Sequence, residues 1–82
     1  MSDVKVLLFG AAADRAGARQ VEVPVNGETT LGELWTILVD QYPGLVPMRD
    51  TLAFAINGEY ARIEDAVSAG DEVAVLPPVS GG

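Results

Sequence analysis

Leu31, Leu34, Trp35, Leu38 and Tyr42 recur at intervals of three and four residues, which sets them along one face of a helix. The "TLGE" run before the stripe predicts a capping box in which Thr30 covers the first helical amides and Glu33 reaches back. Pro43 and Gly44 stop the helix. A single amphipathic helix cannot bury its own stripe, so this one must lie on a sheet.

The remainder of the chain supplies the strands. In "VKVLLFG", Val4, Val6 and Leu8 share one face while Leu7 and Phe9 make the other apolar, which predicts a central strand covered on both sides. "AAADRAGA" suits one or two helical turns ending at Gly17. "RQVEVPV" turns Val21, Val23 and Val25 inward, and Pro24, which has no N–H to give a ladder, assigns the strand to a sheet edge. "NGE" reads as a turn and "LVPMRD" as a loop. "LAFAI" alternates Leu52, Phe54 and Ile56 with alanines, Asn57-Gly58 signals a tight hairpin, and "EYAR" is its short return strand. "IEDAVSAGDE" reads as a turn-rich crossing that sends Ile63 and Val67 into the core, and "EVAVL" is a last strand ending against Pro77. The order ββαβββ predicts an α+β roll: a mixed sheet of four to five strands, one main helix on one face, and the first and last strands as parallel neighbours at the centre.

At 82 residues the chain holds one domain, read here as residues 1–76, followed by a projecting tail, 77–82. Such a domain has too small a core to spare for an enclosed substrate cavity, so function belongs on the surface. There is no Cys and no His, which removes disulfides, thiolate zinc sites, Cys nucleophiles and the side chain best suited to proton transfer near neutrality. Five basic residues against twelve acidic ones give a net charge of −7. That charge repels nucleic acid and anionic lipid and favours a partner with a basic face. The longest apolar stretch, Val6 to Ala13, is too short to span a bilayer. The chain reads as cytoplasmic, with no nucleic acid or membrane among its partners.

The usual chemical motifs do not form. Gly10, Gly17, Gly27 and Gly58 have neither the dinucleotide nor the phosphate-loop spacing. Glu64, Asp65, Asp71 and Glu72 lack the spacing of a calcium loop and read as a solvated acidic surface. Ser2, Ser68 and Ser80 have no imidazole to activate them, and Lys5 has no evident electrophile pocket. Trp35 and Tyr42 lie on the helix stripe and build the core. We expect neither a metal nor a cofactor to be bound.

The ending "LPPVSGG" remains. Pro77 and Pro78 fix φ near −65° and lack N–H donors, so the chain leaves its last strand as a stiff stalk that cannot join a sheet. Gly81 and Gly82 have no Cβ, the thinnest peptide possible, suited to threading a narrow channel in another protein. The α-carboxyl of Gly82 arrives at its end unhindered, ready for activation by a partner.

A ββαβββ order feeding directly into a Gly-Gly terminus resembles the ubiquitin-like β-grasp family. Within it, "GDEVAVLPPVSGG", "KVLLFGAAADRAG", "TLGELWTILVDQYPGL" and "AINGEY" are similar, in order, to the small sulfur-carrier subunits of molybdopterin synthase. Val67 departs from the Leu more often found in those subunits. The resemblance implies that an adenylating enzyme using MgATP converts Gly82 to an acyl adenylate and that a sulfur donor turns it into a thiocarboxylate. It further implies that the tail enters a large subunit, which holds the catalytic side chains and where the sulfur passes to cyclic pyranopterin monophosphate. Gly82 would carry the reacting group and Gly81 give it clearance, with Pro77, Pro78, Val79 and Ser80 guiding the tail. Leu76 would sit at the partner interface, although strand alternation leaves open which of Val75 and Leu76 is core. Glu59, Asp71 and Glu72 would steer a basic partner, and the expected assembly is a heterotetramer with two large subunits at its centre. Other carriers with the same terminus, for thiamine, cysteine or tRNA thiolation, protein modifiers joined to lysines, and β-grasp modules that are never activated are the alternatives.

Overall fold

The computed structural model describes residues 2–77. Its elements run β1 (Ser2–Leu8), α1 (Gly10–Ala16), β2 (Gln20–Val25), β3 (Glu28–Thr30), α2 (Leu31–Gln41), a 3-10 helix (Pro43–Met48), β4 (Ala53–Ile56), β5 (Glu59–Ala61), β6 (Ala66–Ser68) and β7 (Glu72–Leu76). The main sheet has five strands in the order β2-β1-β7-β4-β5. β1 and β7 pair in parallel, Val6 opposite Val73 and Leu8 opposite Val75, and the remaining neighbours are antiparallel. Pro24 does lie on an edge strand, β2, as its missing N–H requires.

Helix α2 begins as its cap predicts. The Glu33 amide donates to the Thr30 hydroxyl at 3.2 Å and the Thr30 amide to the Glu33 carboxylate at 3.3 Å. Its buried stripe of Leu31, Leu34, Trp35 and Leu38 lies over Val4, Val6, Val23, Phe54, Val73 and Val75, and Trp35 meets Phe54 edge to face at 5.3 Å. Helix α1 stops at Gly17, whose φ of +74° is left-handed and whose N–H donates to the Ala13 carbonyl.

Four expectations need correction. β1 is covered on one face only: Val4, Val6 and Leu8 are buried, whereas Phe9 is 44% exposed, because the described residues form one long helix, α2, and it can cover only one side of the sheet. Residues 43–48 are a 3-10 helix rather than a loop, packed against α1 so closely that a Cβ on Gly44 would stand 2.9 Å from the Arg15 carbonyl oxygen. "NGE" is more than a turn, since Glu28–Thr30 pairs with Ala66–Ser68 in a second, two-stranded sheet. Ile63 does not enter the core and stays 41% exposed. Its carbonyl instead accepts the Gly32 amide at 2.8 Å, one of the donors a helix start leaves unpaired. Val67 is fully buried, as expected.

The β4–β5 hairpin is clamped from its turn. Asn57 (φ +51°) and Gly58 (φ +88°) take the left-handed conformations of a tight hairpin. The Asn57 carboxamide donates to Asp71 at 3.1 Å and accepts the Glu72 amide at 2.9 Å, while the other Asp71 oxygen accepts the Ser68 amide at 2.8 Å. The Ser68 amide first, and the Asn57 carboxamide second, hold the Asp71 carboxyl below its ordinary value of 3.8. The ionised form accepts both bonds, so their stabilisation is complete above that ordinary value and is lost as pH falls below it, through the lowered folded one. Asp71→Ala should therefore lower stability by about 1–2 kcal/mol at neutral pH, with the deficit shrinking in acid. Urea melts from neutral to strongly acidic pH check this, and a deficit that does not change with pH would refute it.

Candidate functional site

Strand alternation puts Lys5 and Leu7 of β1, Glu72, Ala74 and Leu76 of β7, Ala53 and Ala55 of β4, and Tyr60 of β5 on the sheet face that α2 leaves open. Phe9 extends β1 by one residue and donates its N–H to the Val75 carbonyl at 3.2 Å. The register orders these side chains into rows. Leu7, Ala74, Ala55 and Tyr60 stand opposite one another across four strands. One step toward the N-terminus of β1, the row is charged: Glu22, Lys5 and Glu72. One step the other way lie Leu76 and Ala53, with Phe9 beside them. The face is thus apolar toward the end where β7 leaves the domain and charged toward the opposite end.

Phe9 and Tyr60 are the prominent side chains here, 44% and 76% exposed. Large apolar groups left in water within one patch mark an interaction surface. Leu76 settles the alternation left open by the sequence: Val75 is buried in the core, and Leu76 is half-buried on the open face. Pro77 follows it, exposed, close to Gly10, where an added Cβ would stand 3.6 Å from the proline ring. The expectations for Pro78, Val79, Ser80, Gly81 and Gly82 fall outside the described residues. Sequence reading passed over Phe9, Tyr60 and the alanines as site residues. The available signal was the second apolar set of "VKVLLFG", assigned to a covering layer that the described residues do not form.

The acidic residues do not converge on one point. Asp65 accepts the Arg62 amide and Asp71 is committed to its own turn, leaving Glu59 and Glu72 exposed. Among the described residues no group of three or more His, Cys, Asp or Glu could hold a metal ion. No described helix is long and apolar enough to cross a membrane.

The ThiS family model matches residues 6–82, from the first strand through the Gly-Gly end. The chain belongs to the ThiS family. The chain is similar to the human molybdopterin synthase sulfur carrier subunit, 35% identical and aligned over 100% of this chain and 97% of the relative. Small archaeal modifier protein 1 of Haloferax volcanii is 40% identical over 92% of this chain and 95% of its own. A crystal structure of that modifier superposes with a TM-score of 0.86 over 96% of this chain and 100% of the modifier. A subunit in the complex of subunits 1 and 2 of the molybdopterin-converting factor from Helicobacter pylori is 27% identical and superposes with a TM-score of 0.69, covering 98% and 99% of the two chains. The fold is the ubiquitin-like β-grasp that the sequence resemblance implied.

A ThiS-family sheet with one dry face and one wet face should respond asymmetrically to polar substitution. Tyr60→Ser should change stability by no more than about 0.5 kcal/mol, and Phe9→Ser, which removes a half-buried ring, by about 1 kcal/mol. Val75→Ser, on the same sheet but facing α2, should cost about 2 kcal/mol or more. Chemical denaturation of the three variants measures the contrast, and equal losses would mean that the open face is covered.

Proposed function

We propose that this chain is the sulfur-carrier subunit of molybdopterin synthase and that its reactive group is the α-carboxyl of Gly82. The observation that carries the reading is the course of β7. It is the central strand of the sheet, its last residue lies on the open apolar face, and Pro77 leads directly from it into the tail that ends at Gly82. A partner that docks on the face therefore receives the tail beside it.

The chemistry divides between chains. A Gly82 carboxylate oxygen attacks the α-phosphorus of ATP in the adenylating enzyme, pyrophosphate leaves, and the acyl adenylate forms. A sulfide equivalent from the sulfur donor then attacks the acyl carbon and expels AMP, giving the thiocarboxylate. In the large subunit the terminal sulfur attacks cyclic pyranopterin monophosphate to give a thioester, water cleaves its acyl–sulfur bond to leave sulfur on the pterin and restore the Gly82 carboxylate, and two such deliveries supply the dithiolene sulfurs. With no His or Cys, this chain brings the nucleophile and the interface, and the large subunit brings the acid–base groups. Phe9, Tyr60 and Leu76 form the docking surface, Pro77, Pro78, Val79 and Ser80 guide the tail, and Gly81 clears the channel. Exposed Glu59 and Glu72 favour a basic partner surface. The assembly is a heterotetramer with the large subunits at its centre, and dependence on ATP puts the cycle in the cytoplasm.

The 40% identity to an archaeal modifier favours a second use of the same terminus, in which a protein lysine amine replaces the sulfur nucleophile and an amide results.

Incubation with the host's adenylating enzyme, MgATP and a sulfide source should raise the intact mass by about 16 Da as sulfur replaces oxygen. The gain should disappear as molybdopterin forms on adding the large subunit and the pterin. A stable gain without pterin product assigns the carrier to another pathway. Deleting Gly81 and Gly82 should abolish the gain with the urea midpoint unchanged, and a deletion variant that still gains sulfur would refute Gly82 as the reactive residue.

A further inference from the structure

The open face is not flat. Across the central row the side chains run large, small, small, large: Leu7 on β1, Ala74 on β7, Ala55 on β4 and Tyr60 on β5, each opposite the next in register. Leu76 and Phe9 stand at the tail end of this row and Glu72 at the other, enclosing a depression of about 360 Å³ with alanine at its floor. Ala55 shows how deep that floor lies. It is only 7% exposed although no described element packs on its side of the sheet, and it stands apart from the core cluster beneath α2. Its taller neighbours shade it.

Resting on the docking role proposed above, we infer that this trough is a socket for one protruding apolar side chain of the large subunit, and that Ala55 and Ala74 determine specificity by being small. The lining is hydrocarbon on three sides, with Glu72 as its single charged side chain. A free small molecule would need several converging polar groups to be oriented, and the side chains of the trough offer only the Glu72 carboxylate and the Tyr60 hydroxyl. A protein side chain is oriented by its own backbone and needs only the shape. Anchors of this type, buried in a pocket at the centre of a contact, carry a disproportionate share of binding energy.

The socket also sets a distance. It opens beside Leu76, and Gly82 lies six residues further along the chain, a span of at most about 22 Å when fully extended. A side chain seated in the socket thus fixes how far into the partner the terminal carboxyl can reach. Misplacing the seat by one strand register would move the reacting group by several ångströms.

The test is to overfill the socket without removing any apolar surface. Ala74→Leu and Ala55→Leu point away from the core, so urea melts should show both folded, and Ala74→Ser keeps the size as a control. Titration calorimetry with the recombinant large subunit from the same organism should find binding by each leucine variant weakened about tenfold or more, Ala74→Ser near wild type, and Tyr60→Glu strongly impaired. If Tyr60→Glu is impaired and the leucine variants bind as well as wild type or better, the face docks as a flat apolar surface. The socket is then refuted and the docking role stands. If Tyr60→Glu also binds normally, the docking role fails and the socket with it.

Discussion

The parallel pairing of β1 with β7 is the constraint on which the rest depends. It joins the first and last strands at the centre of the sheet, so every other element must be accommodated outside that pair. The intervening chain crosses one face once as α2, whose leucines and Trp35 close over Val6, Val73 and Val75. Because parallel neighbours cannot be joined by a tight turn, this arrangement commits the domain to long-range contacts, and pairing Val6 with Val73 closes a loop of nearly the whole chain. Central placement of the last strand also decides where the chain leaves: beside the middle of the sheet.

One-sided coverage follows from the same economy of elements. Two layers are enough to bury a stripe of four helical residues and the inward positions of five strands. A further helix on the opposite face would be needed to dry it, and none of the described helices lies there. The open face is therefore available for a partner, and its composition is graded. Charges lie at Glu22, Lys5 and Glu72, and apolar groups lie next to the start of the tail. In a ThiS-family chain without His or Cys, the exposed apolar surface beside Pro77 is what the described residues offer a partner.

Much of this was legible beforehand because it is local. The capping box at Thr30 and Glu33 requires only residues three apart, the left-handed turn at Asn57 and Gly58 only two, and the edge position of β2 follows from one missing N–H at Pro24. The elements that escaped notice depend on distant partners. Glu28–Thr30 and Ala66–Ser68 are each three residues long, too short for a period, and become strands only because they find each other. Ile63 has the composition of a core residue, but its backbone is recruited by the Gly32 amide and its side chain turns outward.

The amino-acid order by itself determined which residues form the helix, which alternate in strands and which turn tightly at Asn57 and Gly58, since those properties rest on spacing within a few residues. Tertiary structure alone decided which face of β1 would be dry. Leu7 and Phe9 are as apolar as their buried neighbours, and nothing in their spacing distinguishes a strand covered twice from one covered once. The distinction is the number of helices available to cover the sheet and the side on which α2 crosses. That crossing leaves Ala55, Ala74, Tyr60 and Leu76, which come from three different strands, together on one open surface.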